Sequence, residues 1–320
     1  MKKLLILVCI SISLYASSAV DIYRQNGLDA VEKYIKKQLQ SKSYWDEKLK
    51  DFDVKYGYYE NLDSLLIANK KAKELTIYQS NSKNLELLAK YEDVIVGANG
   101  DKFKEGDLKT PLGVYTIRKR FTPQDQFYGP LAFVLSYPNT YDKVRGKDGY
   151  GIWIHGSPLD GSDRDPMSKG CIVLDNDTID LLDKNIKPKN SIILVSEDGI
   201  GKVDKTEIST ILSELFRWKD AWRESDVDAY LDFYDKDFKR YDGLSKKNFE
   251  NMKRRIFSRK QNKKIVFKNI NISPYASENS KRLFKVAFYE IYETNSYNFR
   301  GNKELYIELN DKSFKILSEK

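Results

Sequence analysis

Histidine and cysteine are nearly absent from this 320-residue chain, which holds one of the first and two of the second. A zinc site needs three or four ligands, usually paired His or Cys, and this inventory does not supply them. Long apolar runs are also missing. The best is 4–14, which is too short to span a bilayer as a helix. Lys2 and Lys3 precede it and Ser17-Ser18-Ala19 follow it, so residues 1–19 read as an export signal; left uncleaved, the segment would act as an anchor. Cys9 lies inside this segment, which leaves Cys171 alone in the mature chain and excludes an internal disulfide. The net charge of +8 is spread over 55 basic and 47 acidic residues. No basic stripe interleaves with stacking aromatics, so no nucleic acid is expected as a partner. The diffuse positive field suits an anionic polymer instead.

What the chain does hold is concentrated in residues 151–174, GIWIHGSPLDGSDRDPMSKGCIVL. The sole histidine, His155, and the sole remaining thiol, Cys171, both lie here. A thiol and an imidazole are the minimum parts of a cysteine nucleophile with its base. Ile152, Trp153 and Ile154 read as the end of a buried strand, the Gly/Ser/Asp/Pro-rich residues as an exposed loop, and 171–174 as the start of a second strand. A lone cysteine is often just a small core hydrophobe, but its company argues otherwise. The histidine precedes the cysteine by sixteen residues, the reverse of the papain order. A neighbouring imidazole would promote the thiolate, so Cys171 is expected to alkylate quickly. Lys169 and Arg164, cations on the same loop, suit a substrate with free carboxylates.

Around this stretch the chain divides by pattern. Residues 20–72 read as helical, with Val31, Tyr34, Ile35 and Leu39, then Leu49, Phe52 and Tyr56, then Leu62, Leu65 and Leu66 at helical spacing. Such an arm would pack on the next domain or mediate a homodimer. Residues 73–197 read as strands broken by turns, among them Thr110-Pro111-Leu112-Gly113, with an aromatic, glycine-rich segment over 121–150 as a rim or lid. Residues 204–320 read as helices followed by an antiparallel sheet, an α+β arrangement without histidine or cysteine. That half is expected to bind a partner or the anionic polymer without chemistry of its own. A cut after Gly201 is expected to leave catalysis on small substrates intact.

The HG, polar loop and SKGC of residues 155–171 resemble the catalytic signature of the L,D-transpeptidase (YkuD-type) family, and the TPLG turn supports that match. Lys169 and Val173 depart from it where members often carry histidine and arginine. WKDAWRESDVDAYLDFY, NKELYIEL and FKIL resemble an NTF2-like domain. The whole arrangement is similar to the cell-shape-determining L,D-carboxypeptidases of helical Gram-negative bacteria. This resemblance implies an α+β chain with a helical N-terminal arm, a mostly-β YkuD-type catalytic domain and an NTF2-like C-terminal domain. It implies a periplasmic enzyme without metal or cofactor that trims peptidoglycan tetrapeptide stems to tripeptides, with cell-shape or wall proteins as partners of the second domain. Cys171 would be the nucleophile, His155 the base and the Gly156 carbonyl its orienting group. Gly170, with the Cys171 N–H, would form the oxyanion hole, and Ser168 would join Lys169 and Arg164 at the substrate. A transpeptidase making 3–3 cross-links or attaching and releasing wall proteins, and a non-catalytic wall scaffold, share the same features.

Overall fold

The computed structural model describes residues 18–81, 83–162, 164–276 and 281–320, so nearly all of the expected signal segment lies outside the described residues. Helix α1 (Ala19–Leu39) starts at a capping box in which Ser18 Oγ accepts from the Asp21 N–H at 3.2 Å. Its helical path breaks at Gly27 (φ 80°). Helix α2 (Lys42–Lys48) buries Trp45. Both helices lie on the C-terminal domain rather than on the catalytic one. Lys36 pairs with Glu224 at 2.7 Å, and Trp45 stacks on Phe216 at 5.7 Å.

The helical reading fails beyond Tyr56. Strand β1 (Tyr58–Tyr59) is followed by β2 (Ser64–Asn69), which contains Leu65 and Leu66. Five consecutive residues of β2 are buried, because the strand lies inside the sheet and both of its faces are covered. A continuous apolar run of this kind carries no alternation and is easily read as a helix stripe.

The catalytic domain is an eight-stranded sheet in the order β4-β3-β2-β9-β5-β6-β7-β8. Its members are β2, β3 (Glu74–Ser80), β4 (Leu85–Tyr91), β5 (Gly113–Phe121), β6 (Ala132–Leu135), β7 (Trp153–His155), β8 (Ile172–Val173) and β9 (Ser191–Ser196). Helix α3 (Thr140–Val144) follows β6, and α4 (Asn176–Asn185) follows β8. Most pairs are antiparallel, but β2–β9 and β7–β8 are parallel.

The second domain begins with α5 (Lys205–Glu224), α6 (Val227–Asp232), β10 (Tyr234–Arg240) and α7 (Lys246–Phe257). The helices cover a sheet of β11 (Lys264–Tyr275), β12 (Leu283–Glu293), β13 (Asn298–Leu309) and β14 (Phe314–Glu319), which β10 extends by pairing in parallel with β14. Strand β1 adds to its edge, pairing Tyr58 with Ile272. The segment 20–72 is therefore split: α1, α2 and β1 join the C-terminal domain, and β2 joins the catalytic sheet.

A shared apolar cluster fastens the two domains. Leu65, Ile67, Val114 and Leu194 of the catalytic sheet pack with Tyr275, Leu283 and Tyr306 of the second domain. Fully burying one such side chain is worth about 1.5–3 kcal/mol. A cut after Gly201 would open this cluster, which joins the separate cores of the two domains.

Candidate active site

Parallel pairing of β7 and β8 sets Ile154 against Ile172 and His155 against Val173. One step back along both strands, Cys171 falls opposite Trp153. Side chains alternate along a strand, so Trp153, His155 and Cys171 project from one face. His155 and Cys171 are diagonal neighbours there. The short edge strand thus brings the two single-copy groups together.

His155 is 1% exposed, and its Nδ1 lies 2.8 Å from the Gly156 carbonyl oxygen. A carbonyl only accepts, so Nδ1 carries the proton and Nε2 keeps a lone pair. The turn behind it tolerates only glycine. A Cβ at Gly156 would lie 2.4 Å from Asn176 Oδ1 and 2.9 Å from Pro130 Cδ. Asn176 in turn accepts from the Ser157 N–H at 2.9 Å. Asn176, at the start of α4, reads in the sequence as an ordinary helix-start residue; nothing local marks it as the clamp of the histidine turn.

The cysteine turn is equally tight. Gly170 adopts φ 122°, and a Cβ there would lie 2.8 Å from the Lys109 carbonyl oxygen. The Thr110-Pro111-Leu112-Gly113 turn seats this approach: Thr110 Oγ1 accepts from the Gly97 N–H at 2.8 Å, and Leu112 N–H donates to Asp101 Oδ1 at 2.9 Å. Ser168 is a staple within the turn. Its hydroxyl donates to the Cys171 carbonyl at 2.6 Å and accepts from the Gly170 N–H at 3.1 Å. The Gly170 N–H, expected to face the substrate, is thereby engaged, and Ser168 faces the backbone rather than the substrate. The thiol itself is half-buried and donates to the Gly151 carbonyl at 3.4 Å.

Aromatic rings wall the imidazole. Tyr128 stands edge-on to His155 at 5.1 Å and to Trp153 at 5.0 Å, and Phe121 stands edge-on to Trp153 at 5.0 Å. Only part of the expected aromatic rim lies here. Tyr137 is buried, Tyr141 stacks on Tyr306 of the other domain at 5.3 Å, and Tyr150 is exposed. Arg164 reaches back over Phe127, its guanidinium 4.3 Å from the ring, and Nη1 donates to the Phe127 carbonyl at 3.2 Å. Lys169 is exposed.

Burial dominates the electrostatics. It pushes the His155 ring down to about 4, helped by the Arg164 charge and opposed by the carbonyls of Gly156 and Tyr128. Burial also pushes the Cys171 thiol up, against the Trp153 N–H and the positive charges of Arg164 and Lys102. The resting pair is a neutral thiol beside a neutral imidazole. Both shifts argue against a standing thiolate, so the expectation of fast alkylation rests on proton transfer to the ring as the thiol attacks.

A second cluster of ionisable groups lies inside the C-terminal domain. The Lys253 ammonium is 5.0, 5.1 and 5.2 Å from the ring centres of Phe249, Tyr230 and Trp222, and burial pushes it down to about 8. Lys303 lies 3.6 Å from Glu319, whose carboxylate accepts from the Tyr234 hydroxyl at 2.7 Å. Trp218 Nε1 is buried without a hydrogen-bond partner among the described residues. The sequence shows these aromatics as a core stripe, and 0% exposure of Trp218 and Tyr230 agrees. The charges come from three separate elements, so no local pattern announces them.

Comparison with known proteins matches this division of the chain. The L,D-transpeptidase catalytic domain (YkuD) corresponds to residues 63–195, and the Cds6 C-terminal NTF2-like domain to residues 210–320. The helical cell shape determining protein Pgp2 from Campylobacter jejuni superposes with a TM-score of 0.83 at 40% identity, over 88% of this chain and 99% of that one. Bd1075 from Bdellovibrio bacteriovorus gives a TM-score of 0.65 at 26% identity, over 84% of this chain and 96% of that one. YafK of Escherichia coli K12, assigned by its name to the L,D-transpeptidases, is 31% identical over 113 residues, which are 35% of this chain and 42% of YafK. The chain thus spans less than half of that curated relative. With a YkuD sheet carrying His155 and Cys171 and a Cds6-type partner domain sharing its core, the chain belongs to the L,D-transpeptidase family.

Proposed function

We propose that this chain is a periplasmic peptidoglycan L,D-carboxypeptidase that trims tetrapeptide stems to tripeptides and so influences cell shape. The observation that carries the reading is the His155 Nδ1 contact to the Gly156 carbonyl, because it leaves Nε2 as a free base on the face that also bears the lone thiol. In the first step Nε2 takes the Cys171 proton while Sγ attacks the carbonyl of the third stem residue. The Cys171 N–H serves as an oxyanion donor. Nε2–H then protonates the departing amine of D-alanine. In the second step Nε2 takes a proton from water, the hydroxide oxygen adds to the thioester, and Sγ leaves with the proton returned by the ring. Arg164, the half-buried cation on this loop, is suited to the terminal carboxylate.

Exposed residues among 159–162 and 165–167 suit entry of water beside the acyl site, as hydrolysis requires. Whole-chain likeness to a cell-shape determinant supports the influence on cell shape. The name of YafK favours the second reading, a transpeptidase that makes the same thioester and passes it to an amine. The NTF2-like domain would hold wall material or a wall protein in its charged aromatic interior. Exposed Val20, Tyr23 and Leu28 on α1 suit a homodimer contact. Incubation of the purified protein with tetrapeptide muropeptides, followed by mass analysis, tests the reading. Tripeptide with free D-alanine supports it. Products with 3–3 cross-links replace it with the transpeptidase, and unchanged substrate leaves the scaffold.

A further inference from the structure

Tyr275 ends β11 of the NTF2-like domain, yet its hydroxyl sits in the catalytic domain. Its ring is edge-on to Tyr141 and Tyr306, both at 5.6 Å. The hydroxyl accepts from Asn139 Nδ2 at 3.0 Å and donates to Asp142 Oδ1 at 3.4 Å. It also occupies the space of a side chain at Gly113, where a Cβ would lie 2.5 Å away. Behind it runs a set of buried ions. Lys147, with a fully buried side chain, lies 3.0 Å from Asp142 and 2.6 Å from Asp101. Its ammonium is held by charge rather than by well-aligned hydrogen bonds. Asp101 then fixes the Leu112 N–H. Tyr275 and Asp101 thus grip residues 112 and 113 of one turn, and the Lys109 carbonyl of that turn backs Gly170, next to the nucleophile.

Packed apolar side chains would stabilise such an interface at least as well as buried ions, so ions that persist there suit a role in fixing register. We propose that Tyr275 is a positioning residue for the cysteine turn: the NTF2-like domain sets the placement of Cys171 through Tyr275, Asp142, Lys147 and Asp101. The inference rests on the cysteine-enzyme reading above and adds that the second domain is part of the catalytic geometry.

Tyr275→Phe is the direct test, because it deletes one hydroxyl and keeps the ring contacts; Asn139 Nδ2 retains the Val114 carbonyl at 3.3 Å. The expected result is a kcat on soluble tetrapeptide lowered about tenfold with KM nearly unchanged. The rate of Cys171 alkylation by iodoacetamide should shift as well. Asp142→Asn should act in the same direction, and the double variant should show less than the summed effect. Leu65→Ala loosens the same shared core from β2, whose strand partners are Tyr78 and Ile192 rather than Tyr275, and serves as the stability control. Wild-type kcat and alkylation rate in Tyr275→Phe would overturn the proposal. So would an equal loss of kcat in Leu65→Ala. If the wild-type protein cleaves no tetrapeptide, the carboxypeptidase reading fails while alkylation still decides the coupling.

Discussion

The two buried titratable clusters of this molecule are built on opposite plans. Around His155 each ionisable group occurs once, and the backbone holds it: the Gly156 carbonyl fixes the ring, and Ser168 fixes the cysteine turn through main-chain atoms. Inside the NTF2-like domain, Lys253, Lys303 and Glu319 hold one another among aromatic rings. A base must accept and release a proton within one turnover, so a neutral ring with a free Nε2 suits it, whereas a compensating counter-ion would favour one protonation state. Two ammoniums around one carboxylate, beside an indole N–H without a partner among the described residues, suit holding a polar ligand. Chemistry and binding are thus told apart by what satisfies the buried group.

The comparison breaks most sharply at the nucleophile. Cys171→Ala should abolish turnover, by at least about 10⁴-fold, while the circular dichroism spectrum and Tm stay close to wild type. Comparable activity in this variant would remove the distinction between the two clusters. A pH titration of stability gives the next largest effect. The folded His155 ring protonates near 4, below its ordinary 6.5, so the unfolded chain takes the proton first. Stability is unaffected by this ring above about pH 6.5 and falls as pH drops below it, the loss reaching about 3 kcal/mol by pH 4. Urea unfolding at a series of pH values measures this, and His155→Gln should flatten the limb.

Gly170→Ala tests whether backbone geometry holds the cysteine turn. The new Cβ meets the Lys109 carbonyl at an unfavourable φ, so a destabilisation of about 1–3 kcal/mol and a loss of turnover are expected together. Denaturant midpoints and initial rates check both. The smallest effect belongs to the second cluster: Lys303→Met should leave cleavage of soluble tetrapeptide within about twofold while weakening binding to intact sacculi. A large loss on the soluble substrate would mean that the two clusters work as one site.

Much of this organisation is legible before folding. Gly156 and Gly170 flank the single-copy pair, and the α+β order of the second domain follows from its apolar periodicity. Strand β10 is less visible, because its Tyr234 continues a helical stripe and its partner β14 lies at the end of the chain. Residues 62–66 mislead for the same reason: β2 takes its parallel neighbour β9 from far along the sequence, and a doubly covered strand shows no alternation. Arg164 and Lys169 are equivalent as loop cations, and only the packing of one over Phe127 separates them.

By itself the sequence singled out which atoms could react, since His155 is its one imidazole and Cys171 the one cysteine outside the expected export signal, and where glycine was required beside them. The tertiary structure decided what those atoms do at rest. Parallel pairing of β7 with β8 put the two on one face, and burial between rings and main chain made both neutral. It also drew β1, α1 and α2 away from the catalytic sheet and closed a shared apolar cluster between the two domain cores. Pairing, desolvation and shared packing arise from residues far apart in the chain, and no local pattern encodes them.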